Sequence, residues 1–175
     1  MVESSLVIRI AVDAMGGDYA PRAVVDGAVG SARRFGLAVI LVGRELQIDE
    51  ELRRHDLAGL RVSVLHASEV IAMDDPAPAA AARRAQDSSI VRGMRLLRDG
   101  QADAFVTVGH TGAALAGATF RLGRLSGVRR PALATPWRLA ATVAGVAAGI
   151  AAVVATVAAS RAAVASLREG VAEVA

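Results

Sequence analysis

Two short glycine loops carry most of the chemistry this sequence offers. The first is Asp13-Ala14-Met15-Gly16-Gly17-Asp18 and the second Gly109-His110-Thr111-Gly112, each following a run of β-forming residues. Loops of this kind expose backbone N–H groups at the start of a helix, a natural seat for phosphate or a developing oxyanion. A third stretch, Asp87-Ser88-Ser89, places a carboxylate and two hydroxyls at a helix start, where a side-chain oxygen caps free amides. Neither loop has the spacing GxGxxG or GxxxxGK[ST], so a nucleotide is not indicated. A single glycine loop after a strand is commonly a turn and nothing more. Two of them, with a serine-bearing helix start, favour a ligand.

The elements that must position these loops read as alternating strands and helices. Val7 to Val12 forms a strand, and Pro21 opens a helix whose apolar stripe is Ala23, Val24, Ala28 and Ala32. Leu37 to Val42 is a second buried strand, Glu45 to Asp56 a helix, and Leu60 to Leu65 a third strand. After a loop at 73–78 come a short helix at 79–85 and a longer one at 88–98, stopped by Gly100. Ala102 to Val108 is a fourth strand, Ala113 to Leu122 a helix, and Ala132 to Pro136 a further short strand. Strands separated by helices predict an α/β fold with a doubly wound, mostly parallel sheet, and both glycine loops then lie at the carboxyl edge where such sheets bind ligands.

Composition narrows the chemistry further. The 175 residues are long enough for one domain with a real core. Hydrophobic residues are 54% and aromatics 3%, so the core is built from small aliphatic side chains. There is no cysteine, which excludes disulfides, thiolate nucleophiles and Cys-based metal sites. All 20 basic residues are arginine, yet the net charge is only +3 and no aromatic-and-basic patch suits base stacking, so no nucleic acid is expected as a partner. Met1 to Ser5 and the apolar stretch after them lack a secretory pattern, and a cytoplasmic location is expected. Arg92, Arg95 and Arg98 recur along one helix, with Arg121, Arg124, Arg129 and Arg130 beyond; this is either a solvated face or a docking face for an acidic partner.

Ile10-Ala11-Val12-Asp13-Ala14-Met15-Gly16-Gly17-Asp18-Tyr19-Ala20-Pro21 resembles the N-terminal signature of the bacterial phosphate acyltransferases, the PlsX family. Met73 to Ser89, Gly100 to Ala113 and Arg129-Arg130-Pro131-Ala132-Leu133-Ala134 follow in the family's order, so the resemblance covers residues 7–136. It implies a fold like that of isocitrate and isopropylmalate dehydrogenases. The implied reaction is acyl transfer from acyl-acyl carrier protein to inorganic phosphate, with the acyl phosphate passing to a glycerol-3-phosphate acyltransferase for phospholipid synthesis. A homodimer at the cytoplasmic face of the membrane, with no metal and no organic cofactor, is also implied. A phosphate acetyl- or butyryltransferase, which shares the broad fold and uses coenzyme A thioesters, is the alternative.

On the resemblance, Gly16, Gly17, Gly109, Thr111 and Gly112 supply amides or close backbone approach, and Ser88, Ser89 and Thr111 supply hydroxyls to phosphate. Asp13 and Asp87 belong to the same phosphate-binding set, although an acid beside phosphate suits loop orientation better, for Asp13 and Asp18 alike. His110 stands where the family usually has Asn, and with Thr111 forms the catalytic pair; the alternative is a tolerated substitution. Ala85-Gln86 stands where the family commonly has paired lysines. Arg92, Arg95, Arg121 and Arg124 are candidates for docking the acidic carrier protein. His55 and His66 are expected at surface or packing positions.

From Trp137 onward the resemblance ends, and family members run to about twice this length. Residues 1–138 are therefore expected to be a partial α/β domain, and 139–175 an unrelated Ala/Val-rich helical tail. Leu139 to Ser160 carries no charge, long enough at about 1.5 Å per residue to span a bilayer, yet poor in Leu, Ile and Phe. A packed Ala-rich helix and a transmembrane helix, anchoring a non-catalytic remnant, both remain open.

Overall fold

The computed structural model describes residues 7–124 and 126–127. The chain divides into two units, residues 1–131 and 132–175, and every described residue lies in the first. The strands are β1 (Arg9–Asp13), β2 (Ala38–Gly43), β3 (Arg61–His66) and β4 (Ala104–Val106). The helices are α1 (Arg22–Phe35), α2 (Glu45–Leu52), α3 (Pro78–Arg84), α4 (Ser89–Arg98) and α5 (Thr111–Arg121).

All pairings are parallel, as the alternation predicts for a doubly wound sheet, and the strand order is β3-β2-β1-β4. The chain winds outward from β1 through β2 to β3, then returns to lay β4 on the other side of β1. That reversal makes the crevice outside the ends of β1 and β4 a topological switch point. β2 is apolar at every position because both its faces are covered. Val39 and Leu41 join Val25, Val29, Ala32 and Ile48 under α1 and α2, whereas Val42 joins Ala11, Leu96 and Ala102 under α4. Ile90, Ala81, Ala82, Ala113 and Ala116 form a third cluster that holds α3, α4 and α5 together.

Two boundaries, those of α2 and β4, fall short of the sequence reading, and a third, the end of α1, is set by the structure. α2 stops at Leu52 rather than near Asp56, because Asp56 turns its carboxylate onto the Ala58 amide at 3.0 Å and competes with helix continuation. α1 ends at Gly36, whose φ of 65° lets its N–H reach the Ala32 carbonyl. β4 is three residues long, since Thr107 already turns into the second glycine loop. The expected strand at 132–136, Arg129, Arg130, the boundary near 138 and the tail lie outside the described residues. Among the described residues no helix is long and apolar enough to cross a membrane.

Candidate phosphate site at the switch point

The parallel register pairs Val12 with Val106, so Asp13 and Thr107 come side by side where β1 and β4 end. Asp13 is 1% exposed. Its Oδ1 accepts the Met15 N–H at 3.1 Å and its Oδ2 accepts the Thr107 hydroxyl at 2.7 Å. Thr107 Oγ1 in turn accepts the Gly109 N–H at 2.9 Å. One buried carboxylate thus ties the two glycine loops to each other, each hydrogen bond to the charged group contributing about 1.5–3 kcal/mol.

The loops touch backbone to backbone. A Cβ on Gly16 would lie 2.6 Å from the Gly109 nitrogen and 2.8 Å from Asp13 Oδ2, so only glycine fits there. Gly17 has φ +90°, and a Cβ on it would meet Val108 Cγ2 at 3.0 Å. His110 is the N-cap of α5: its Nδ1 accepts the Gly112 N–H at 3.1 Å, which puts the ring proton on Nε2. The Gly109 and Gly112 amides are therefore held within the loop. Those of Gly17 and Thr111 donate to no described residue, which leaves them able to donate to an anion. Asp18 is exposed, away from this network.

The cap role of His110 is testable by substitution. His110→Ala should cost about 1 kcal/mol of stability, because the Gly112 amide loses its acceptor. His110→Asn, whose shorter side chain caps in the same way, should stay within roughly 0.5 kcal/mol of the original. Urea denaturation of the three proteins measures both.

Asp87, Ser88 and Ser89 are not joined to the glycine loops by any hydrogen bond among the described residues. They belong to the exit of β3. Asp87 Oδ2 accepts from the Ser68 N–H at 2.8 Å and its hydroxyl at 2.6 Å, while Oδ1 takes Arg92 Nη1 at 2.7 Å. Glu69 closes the contact by accepting the Asp87 N–H at 2.8 Å. Ser88 rather than Asp87 caps α4, its Oγ accepting the Val91 N–H at 3.3 Å, and both serines are buried.

The Ser68 hydrogen bonds, then Arg92, hold the Asp87 carboxyl well below its ordinary pKa of 3.8. A depressed folded-state pKa adds stability that is fully present above the unfolded value and is lost as pH falls below it. Asp87→Asn should therefore lower the urea midpoint at pH 7, and its deficit against the original chain should shrink progressively from about pH 4 downward.

Of the four arginines, Arg92 is engaged with Asp87. Arg95 and Arg121 meet on Gln86, and Arg124 lies exposed just beyond α5. His55 pairs with Asp26 at 2.9 Å, and His66 Nδ1 accepts the Glu45 amide at 3.4 Å, both contacts at the surface. Sequence reasoning missed Thr107, Ser68 and Glu69, and singled out Gln86 only as a departure from the family's paired lysines. Thr107 had one signal, a hydroxyl ending a strand directly before a glycine loop, but its partner Asp13 becomes visible only with the β1–β4 register.

These features define the class: a parallel α/β domain with two interlocked glycine loops at its switch point. The family described as "Fatty acid synthesis protein" matches residues 8–164. The chain belongs to that family. Phosphate acyltransferases of Herpetosiphon aurantiacus and Pelotomaculum thermopropionicum are 52% and 53% identical to it over 128 and 127 residues, 73% of this chain in each case. That of Nitratidesulfovibrio vulgaris is 52% identical over 126 residues, 72% of this chain. The aligned part is 34% to 36% of those relatives, so the chain spans about a third of the length of the curated relatives it matches.

Proposed function

We propose that the chain carries the phosphate-binding part of an acyltransferase that moves an acyl group from acyl-acyl carrier protein to inorganic phosphate. The observation behind this reading is the pair of glycine loops locked by Asp13 and Thr107 where β1 and β4 end, with the Gly17 and Thr111 amides donating to no described residue. The likeness to proteins named phosphate acyltransferase supports it.

A phosphate oxygen attacks the thioester carbonyl, the C–O bond forms and the C–S bond breaks. The proton of hydrogen phosphate ends on the leaving thiol, which balances the step without a metal or cofactor. Backbone N–H groups fixed before the reaction lower the barrier by binding the phosphate and the tetrahedral oxyanion. Asp13 acts through the loops it orients. The Thr111 hydroxyl donates to the phosphate, and His110 fixes the first turn of α5. Gly16 and Gly109 provide close backbone approach.

The product would supply a glycerol-3-phosphate acyltransferase, and the working form would be a homodimer at the cytoplasmic face of the membrane. The acidic carrier would dock on Arg95, Arg121 and Arg124, with Arg92 holding Asp87 beside them.

Purified chain supplied with acyl-acyl carrier protein and phosphate, with hydroxylamine trapping, should give phosphate-dependent acyl hydroxamate. The same product from acyl-coenzyme A and phosphate, and none from the acyl carrier protein, would assign the chain to the phosphate acetyl- or butyryltransferases that use coenzyme A thioesters. No product from folded protein with either donor would refute catalysis by this chain.

A further inference from the structure

Arg95 Nη2 and Arg121 Nη2 each donate to the same atom, Gln86 Oε1, at 2.7 Å. Two guanidinium groups therefore sit side by side on a neutral oxygen. Among the described residues neither is ion-paired with a carboxylate, and the nearby Asp99 is taken by Arg98 at 2.7 Å. Arg121 Nε is buried without a hydrogen-bond partner. Gln86 is itself oriented by a hydrogen bond from its Nε2 to the Arg83 carbonyl. Two cations gathered on a neutral oxygen repel one another, Asp99 reaching Arg95 only at longer range, and an anionic oxygen relieves that repulsion while filling the forked donors.

We propose that Arg95, Arg121 and Gln86 form a second anion seat, which holds the phosphate of a pantetheine arm. The placement on α5 selects this occupant. Thr111 and Arg121 are the first and last residues of that helix, so their backbones lie about 15 Å apart at 1.5 Å rise per residue, which puts the seat and the switch-point loops toward opposite ends of α5. An extended pantetheine arm spans a distance of this order between its phosphate and its sulfur. A thioester placed at the α5 N-terminus would then set its arm's phosphate at the α5 C-terminus. The identity of the occupant rests on the thioester reading above; the seat itself does not.

Equilibrium binding to the purified chain tests the seat without turnover, using 4′-phosphopantetheine, pantetheine and inorganic phosphate as probes. The native chain should bind 4′-phosphopantetheine at least about tenfold more tightly than pantetheine, from charge-assisted bidentate contacts. That preference should vanish in the double variant R95Q/R121Q. It should vanish equally in Gln86→Glu, which leaves both arginines in place and gives them an internal carboxylate; Arg98→Gln should keep it. Absence of the preference in the native chain, or its survival in Gln86→Glu, would overturn the seat. Inorganic phosphate binding as tightly as 4′-phosphopantetheine, with both lost in Gln86→Glu, would overturn the arm as its occupant. Acyl hydroxamate formation reports separately on the catalytic reading.

Discussion

Alanine at Gly16 is expected to reduce acyl phosphate formation on the order of 100-fold, the scale at which displacement by about 1 Å costs a positioned reaction. The added methyl would stand 2.6 Å from the Gly109 nitrogen and 2.8 Å from Asp13 Oδ2. Neither neighbour can yield cheaply. The first is backbone, and the second is a carboxylate held by Met15 and Thr107. The loops must part, which breaks the network that orients the Gly17 and Thr111 amides. Stability should fall by only about 1–3 kcal/mol, as for other overpacked sites, so a folded protein with weakened phosphate binding is the expected product. Trapped acyl hydroxamate and a urea curve on the same preparation separate the two effects.

Gly93→Ala is expected to have the largest effect on the fold and none specific to the loops. A Cβ there would lie 2.0 Å from Phe105 Cε2 and 2.5 Å from Cδ2. Phe105 is packed against two buried clusters, one with Ile90 and Ala113 and the other with Ala11 and Leu96, so the ring has nowhere to swing. α4 must lift from the sheet instead, at a cost of about 3 kcal/mol and a Tm lower by on the order of 10 °C. Gly30, in α1, is the contrasting case. It is exposed with nothing within 4 Å of an added Cβ, and Gly30→Ala should raise stability by roughly 0.5–1 kcal/mol. Thermal unfolding followed by circular dichroism checks both.

The order of strands and helices was legible because each strand has a β-forming apolar centre, Ile10 to Val12, Val39 to Val42, Val62 to Leu65 and Phe105-Val106, and glycines follow three of the four. The sheet order β3-β2-β1-β4 was not, because a local pattern does not say on which side of β1 the fourth strand lies. The two glycine loops were legible for the same reason as the strands. What joins them was not. Asp13 and Thr107 are 94 residues apart and meet only through the β1–β4 pairing. Asp87-Ser88-Ser89 misled in the opposite direction. Its residue types suit phosphate, but the crossover from β3 brings Ser68 and Glu69 to it, and they satisfy the carboxylate and the backbone. Arg92, Arg95 and Arg98 share a spacing, yet each has a different partner, Asp87, Gln86 and Asp99, and only contacts beyond their own helix separate them.

Phosphate binding at the switch point is tested most directly by backbone amide chemical shifts of the nitrogen-15-labelled chain during titration with inorganic phosphate. The expected result is saturable shifts at Gly17 and Thr111, retained in the R95Q/R121Q variant and lost in Gly16→Ala. Saturable shifts confined to the Arg95 and Arg121 region, or no saturable shift at either loop, would contradict it.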